Sequence, residues 1–285
     1  MEVVSTTGEL RTAVAAARRA NKSVGLVPTM GALHEGHLSL VDASRAECAW
    51  TVVTIFVNPL QFAANEDLSN YPRPIGDDLA KLRLRGADLV FTPTDDEMYR
   101  IAHGTFVDVG VVARPLEGAF RPSHFRGVAT IVLKLLNLAS ADRAYFGQKD
   151  FQQTLVVKRM VADLNVSVEI RVCPTVREAD GLALSSRNAY LSPDERRQAL
   201  AISRSLREAK AMVTGGERNA ASVLVRMRAI LAEAGITQID YVVLADPETL
   251  ENQSKISGPT LAAIAARIGS TRLIDNELIE PSPEP

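Results

Sequence analysis

Apolar positions along the chain follow two alternating rhythms. Short, nearly continuous apolar or β-branched runs occur at Val24 to Val27, Thr51 to Val57, Asp88 to Thr92, Arg143 to Phe146 and Val166 to Val172, and they read as strands. Between them lie stretches of helical period at Leu38 to Glu47, Gly76 to Arg85, Gly127 to Ala139 and Phe151 to Asp163. A first helix is predicted to start near residue 7, because Thr6 and Glu9 have capping-box spacing ahead of the alanine-rich stretch Leu10 to Ala20. Strands with apolar residues on both faces, alternating with helices, imply a parallel sheet covered on both sides.

After Cys173-Pro174 the rhythm changes. Ser192-Pro193-Asp194-Glu195 is a second capping box with proline at the first helical position, and the long helix it opens stops before Gly215-Gly216. Another helix is predicted over roughly 217–234, ended by Gly235, and strand-like runs follow at Gln238 to Leu244, Thr260 to Ile268 and Arg272 to Ile279. The expected fold class is therefore α/β: a Rossmann-like parallel-sheet domain over 1–175, then a smaller α+β domain over 176–285. The tail from Glu280 onward has no apolar residue to bury and reads as frayed.

Composition narrows the function. At 46% apolar and 23% charged residues, the 285-residue chain matches ordinary globular proteins and not collagen-like, low-complexity or disulfide-scaffold classes. A formal charge of −2 cannot neutralise many phosphates at once, which argues against a general nucleic-acid binder but leaves room for a local nucleotide pocket. Cys48 and Cys173 form no C-x-x-C pair, which fits a reducing cytosol. The N-terminus lacks a basic start followed by an apolar run. No segment reaches the roughly 18 apolar residues of a membrane span. A cytoplasmic protein acting on small molecules is expected.

In open α/β sheets ligands collect beyond the carboxyl ends of the strands, so the loops there carry the candidate chemistry. The first runs Pro28-Thr-Met-Gly-Ala-Leu-His-Glu-Gly-His37, with two histidines three residues apart at a helix entrance. Helix N-termini favour anions, and histidine there can donate to a phosphate. Metal ligation is a rival reading of His34 and His37, but the zinc signature H-E-x-x-H spaces its histidines by four and no third ligand is near. Ordinary helix capping is the plainer alternative. The second strand ends in Phe56-Val-Asn-Pro-Leu-Gln-Phe62, where the Gln61 amide could hold a carboxylate without neutralising it. A third loop, Phe146-Gly-Gln-Lys-Asp-Phe-Gln-Gln153, offers Lys149 as a phosphate partner, and Val176-Arg-Glu-Ala-Asp-Gly-Leu-Ala-Leu-Ser-Ser-Arg-Asn188 could close on a polyphosphate. Neither a P-loop nor a G-x-G-x-x-G fingerprint is present.

Taken together, these four segments resemble the pantothenate synthetase (pantoate–β-alanine ligase) family of the Rossmann-like nucleotidyltransferases. P-T-M-G-A-L-H-E-G-H, F-V-N-P-L-Q-F, F-G-Q-K-D-F-Q-Q and D-G-L-A-L-S-S-R-N stand in that family's order, with Arg121-Pro-Ser-His-Phe-Arg-Gly127 and Thr271-Arg-Leu-Ile-Asp-Asn276 also similar. The resemblance implies ATP-dependent joining of pantoate to β-alanine through pantoyl adenylate. It implies an ATP site lined by Met30, Gly31, Ala32, Leu33, His34, Glu35, Gly36 and His37, with His37 as proton donor and His34 beside it on phosphate. Gly147, Gln148, Lys149, Asp150, Val176, Leu184, Ser185, Ser186 and Arg187 would also meet nucleotide, Lys149 with a catalytic role, while Gln61 and Gln153 would hold pantoate.

By the same resemblance, magnesium would arrive with ATP, helped by Asp77 or Asp78, the smaller domain would cover the active site, and the chain would form a homodimer. Gln148 stands where the family commonly has glutamate, Leu60 where methionine is common, and Arg100 where proline often follows Met-Tyr. The alternatives are an adenylyltransferase of the same fold acting on another acid or phosphate ester, and a non-catalytic nucleotide-binding regulator.

Overall fold

A computed structural model describes residues 1–63 and 68–282; the last three residues of the expected frayed tail lie outside the described residues. The chain forms two compact units, one of Met1–Gln148 with Gln152–Pro174 and one of Lys149–Phe151 with Thr175 onward. Lys149 and Asp150, expected in the first domain, thus group with the second unit.

In the first unit the elements run β1 (Glu2–Val4), α1 (Thr7–Arg19), β2 (Val24–Thr29), α2 (Glu35–Glu47), β3 (Trp50–Ile55), α3 (Ile75–Leu84), β4 (Leu89–Phe91), α4 (Asp95–Met98), α5 (Glu117–Phe120), α6 (His124–Ala139), β5 (Arg143–Gly147), α7 (Phe151–Asp163) and β6 (Glu169–Cys173). The six strands form one parallel sheet in the order β1-β4-β3-β2-β5-β6. Successive side chains on each strand point to opposite faces. Leu26, Val52, Leu89 and Phe146 enter the core that α1 and α6 cover, and their neighbours Val27, Val53, Val90 and Tyr145 enter a second core with Leu38 and Val41 of α2 and Leu82 of α3. Burial on both faces explains the unbroken apolar runs.

The Thr6–Glu9 capping box forms as its spacing predicts. Helix α2 begins three residues before Leu38, because its polar first turn carries no apolar periodicity. The short strand β1 escaped the pattern, having only three residues directly ahead of a helix cap. Likewise β6 starts at Glu169, since Asn165 takes a left-handed turn (φ +52°) that delays it.

The second unit contains α8 (Pro193–Thr214), α9 (Ala220–Glu233) and the antiparallel strands β7 (Gln238–Ala245), β8 (Thr260–Ile268) and β9 (Thr271–Ile279), paired in the order β7-β8-β9. Helix α8 opens on the full Ser192–Glu195 capping box with Pro193 in its first turn. Ile202, Leu206, Met227 and Leu231 of the helices pack with Val242, Ile264 and Leu273 of the sheet in a separate core.

One contact of the first unit bears directly on the site. The single-turn helix Pro59–Gln61 lies against α6 so closely that a Cβ on Gly127 would stand 2.2 Å from Leu60 O and 2.6 Å from Gln61 N. Only glycine permits that approach. Gly127→Ala is expected to destabilise the chain by ~1–3 kcal/mol through overpacking and to displace Gln61. Denaturant unfolding checks this, and an unchanged midpoint would show that the turn yields without cost.

Candidate active site

Strand order locates the place to look. From β2 the chain builds outward to β3 and β4 on one side and, after crossing over, to β5 and β6 on the other, so β2 and β5 flank the switch point beyond whose carboxyl ends ligands bind. Leaving β2, the chain passes Met30, Gly31 at φ +83° and Ala32 at φ +51°. A left-handed alanine costs roughly 1–2 kcal/mol. The buried carboxylate of Asp78, in the first turn of α3, holds it there: Ala32 N–H donates to Oδ2 and Leu33 N–H to Oδ1, both at 2.8 Å. Lys81, one turn further on, donates from Nζ to Leu33 O at 2.7 Å. Gly31 N–H is taken by Thr29 Oγ1 at 3.2 Å.

This loop delivers His34 and His37 to the start of α2. His34 is the N-cap: its Nδ1 accepts from Gly36 N–H at 3.2 Å, and His37 Nδ1 faces His34 N–H at 3.4 Å. A ring nitrogen that accepts from a backbone N–H carries no proton, so each neutral imidazole holds its proton on Nε2. The rings lie 4.1 Å apart at 36°. Capping, the plainer alternative in the sequence, is what the Nδ1 atoms of both histidines do. Glu35 in the same turn is exposed and pairs with Arg85.

Beyond β3, Asn58 caps the Pro59–Gln61 turn and organises its amides. Asn58 Nδ2 donates to Gln61 Oε1 at 3.0 Å and to Gly127 O at 3.1 Å. Gln61 Nε2 lies 2.9 Å from Met30 Sδ, and Gln61 O accepts from His124 Nδ1 at 2.9 Å and Arg121 at 3.2 Å. Met30 and Gln61, far apart in sequence, are therefore neighbours. Of the two glutamines opening α7, Gln152 is buried and spent on structure, accepting from Glu117 N–H and donating to Val112 O and Pro115 O. Gln153 is half-exposed and free of such ties among the described residues.

In the second unit, Lys149 sits in the single-turn helix Gln148–Asp150, half-buried, with Asp150 exposed. Asn276 Nδ2 donates to Lys149 O at 2.8 Å. Next to it Asp275, buried and with its carboxyl pushed up by desolvation against the pull of Arg177, receives a two-pronged pair from Arg177 at 2.6 and 3.1 Å. The 176–191 segment is stapled rather than slack. Leu184 N–H donates to Val176 O at 3.0 Å, Arg177 bridges Ala183, and Gly181 turns at φ +95°. Arg196 ties Glu178 and Asp180, Asn188 ties Glu178 to Ala183 O, and Ser185 Oγ accepts from Arg187 N–H at 3.3 Å ahead of Ser186. Gly147 has open space where a Cβ would stand.

A family model for pantoate–β-alanine ligase matches residues 2–278. The chain belongs to that ligase family. It is 55% identical over 280 residues to a pantothenate synthetase of Roseiflexus castenholzii, covering 98% of this chain and all of that one. The crystal structure of pantothenate synthetase from Thermus thermophilus superposes with a TM-score of 0.94 at 45% identity, covering 99% of this chain and 100% of that one. A pantoate–β-alanine ligase from Francisella tularensis, solved with β,γ-ATP and β-alanine, gives 0.80 at 32% identity over 98% and 97% of the two chains. The parallel sheet with a separate three-stranded antiparallel sheet is thus the fold of this ligase family.

The ligase's residues do not fit a protein-held magnesium at Asp77 and Asp78. Each Asp78 oxygen already takes a backbone N–H, Asp77 is exposed, and among the described residues no three His, Cys, Asp or Glu side chains gather to hold a metal. Asp275 and Asn276 stand inside quoted motifs without a role, Asn58 reads in the sequence only as the end of a strand, and Tyr99, whose hydroxyl reaches Asn58, enters only as part of the Met-Tyr pair before Arg100.

Asp78→Asn replaces one acceptor by a donor facing an N–H. It is expected to cost ~1–3 kcal/mol and to loosen Met30–His37, read as faster amide exchange of Ala32 and Leu33. A second prediction concerns pH. Hydrogen bonds from Arg196 hold the Glu178 and Asp180 carboxyls below their ordinary values of 4.5 and 3.8. Depressed folded values stabilise above the ordinary pKa and cease to do so as pH falls through the folded one. Wild type should therefore exceed Arg196→Ala in denaturant midpoint at neutral pH, with the gap closing below pH 3.8. A gap that persists there would refute the charge origin.

Proposed function

We propose that this ligase condenses pantoate with β-alanine to pantothenate, splitting ATP into AMP and pyrophosphate through a pantoyl adenylate. A free carboxylate resists attack by an amine. In the first step the pantoate carboxylate attacks the α-phosphate and pyrophosphate leaves; in the second the β-alanine amine attacks the activated carbonyl and AMP departs with its oxygen. Magnesium enters as part of the ATP substrate.

The observation that carries this reading beyond family membership is the pair of histidines fixed at the mouth of α2, each with its Nδ1 turned to a backbone N–H. Two fixed donors beside a helix N-terminus suit charge that builds on phosphate oxygens in the first step. In this reading Met30 to His37 line ATP, and Gly147, Gln148, Lys149, Asp150, Val176, Leu184, Ser185, Ser186 and Arg187 supply its further contacts, with Lys149 the fixed positive charge. Gln61 and Gln153 hold pantoate. Neutral amides suit a carboxylate that must stay nucleophilic, since a two-pronged arginine would quench it. The proposal includes a cytoplasmic homodimer; no helix among the described residues is long and apolar enough to cross a membrane. The match along nearly the whole chain disfavours both the other-acid adenylyltransferase and the regulator.

Pantoate-dependent ATP–pyrophosphate exchange tests the proposal. Exchange that ignores pantoate points to another acid, and no exchange at all points to a binder. His37→Ala should slow adenylate formation ~10²–10³-fold in a folded protein, as loss of one well-placed donor does. Gln153→Ala should raise the pantoate requirement with little change for ATP, and Gln153→Glu should raise it further by setting a carboxylate beside the substrate's own. Equal pantoate dependence in all three proteins would return Gln153 to a structural role.

A further inference from the structure

We infer that Tyr99 is a positioning residue for pantoate, setting through Asn58 which end of the Gln61 amide meets the substrate. The inference rests on the proposed role of Gln61 and adds a residue to it. Tyr99 O–H donates to Asn58 Oδ1 at 2.6 Å, the short end of the hydroxyl range. Asn58 is 1% exposed, so its amide has no water to fall back on. Two backbone groups identify which way that amide faces: Gly127 O can only accept, and takes Nδ2 at 3.1 Å, while Leu60 N–H can only donate, and reaches Oδ1 at a long 3.4 Å. With Nδ2 on that side, Asn58 also donates to Gln61 Oε1 at 3.0 Å.

The consequence passes to Gln61. Its oxygen is committed to Asn58, so its Nε2–H group is turned the other way, towards Met30 Sδ. A thioether is a weak acceptor. A substrate oxygen arriving there would gain a better-matched donor than the sulfur it replaces, and Gln61 meets pantoate as a donor rather than an acceptor. Of the two bonds on Asn58 Oδ1, that from Tyr99 is much the shorter. Without it the buried oxygen keeps only a long bond, and both amides gain freedom to turn.

The surroundings of Tyr99 hold its ring rather than compete for its hydroxyl. Phe56 lies 6.1 Å and His103 5.0 Å away between ring centroids, and Lys134 Nζ stands 5.4 Å over the face. Burial, with Asp95 assisting, pushes the phenol pKa upward, so the hydroxyl remains a donor throughout the working pH range. Tyr99→Phe therefore removes the donor and keeps the packing.

The test measures pyrophosphate release by the full-length enzyme while pantoate and ATP are varied in turn. Tyr99→Phe should raise the pantoate KM about five- to tenfold, the factor for one lost buried hydrogen bond, with kcat and ATP KM within about twofold. Gln61→Ala should raise the pantoate KM as well, and adding Tyr99→Phe to it should change nothing more, because the tyrosine acts only through that amide. Asn58→Asp, which sets an oxygen against Gln61 Oε1, should raise the pantoate KM more than Tyr99→Phe does. A normal pantoate KM in folded Tyr99→Phe beside a raised one in Gln61→Ala would overturn the inference and leave the Gln61 assignment standing. Equal rises for both substrates with a lowered Tm would reduce Tyr99 to a packing residue. An unaffected Gln61→Ala would overturn the Gln61 assignment and this inference together.

Discussion

The Asp78 carboxylate accepts two successive backbone N–H groups, from Ala32 and Leu33, and the loop at the switch point depends on that grip. Met30 to His37 must leave β2, reverse through two left-handed residues and enter α2 within a few positions. Nothing in the local sequence prefers a left-handed alanine. The strain persists because the buried carboxylate, itself in the first turn of α3 where the helix dipole favours negative charge, takes both N–H groups. Exposed backbone donors elsewhere would be met by water; here a side chain far along the chain meets them. The loop's shape is therefore a tertiary property, and the histidines inherit it.

This explains which parts of the chain could be read directly. Strands buried on both faces, helices opened by Thr6 or Ser192 and the turn at Asn58-Pro59 are specified by neighbours a few residues away, so pattern and cap chemistry suffice. The motif residues themselves, Met30, Gln61, Lys149 and Gln153 among them, could be named from the sequence, and their roles are those proposed above. What periodicity does not carry is the use of one polar residue by a distant segment. Asp78 looked like half of an acidic pair for a metal and is a backbone clamp. Gln152 and Gln153 are chemically identical neighbours, yet helix rotation buries one in the 112–117 loop and leaves the other half-exposed.

The second unit repeats the lesson. Asp275 and Asn276 end a motif noticed for its resemblance alone, but adjacent residues of a strand point to opposite sides and so can grip different partners. Asp275 takes Arg177, and Asn276 takes the carbonyl of Lys149, 127 positions away. The same strand thereby anchors the start of the 176–191 segment and the residue proposed to carry positive charge to phosphate. Burial raises the Asp275 carboxyl and Arg177 opposes it; removing either partner alone would leave the other's charge or polarity unmatched, which costs far more than the pair gains.

The groups proposed to meet substrate in the first unit are neutral, and their direction comes from the backbone. His34 and His37 accept N–H on Nδ1, while Asn58, read by Gly127 O and Leu60 N–H, turns the Nε2–H group of Gln61 towards Met30. Donors oriented before the substrate arrives need no reorganisation when charge develops, which is where electrostatic catalysis gains over water. Neutrality matters for a separate reason. A cation beside the pantoate carboxylate would stabilise the ground state more than the transition state, where that charge is moving onto phosphate, and would slow the attack, whereas a neutral donor orients the carboxylate and leaves its charge available for the phosphorus. In the proposed reading the first unit therefore relies on amides and imidazoles whose direction is set by the chain itself.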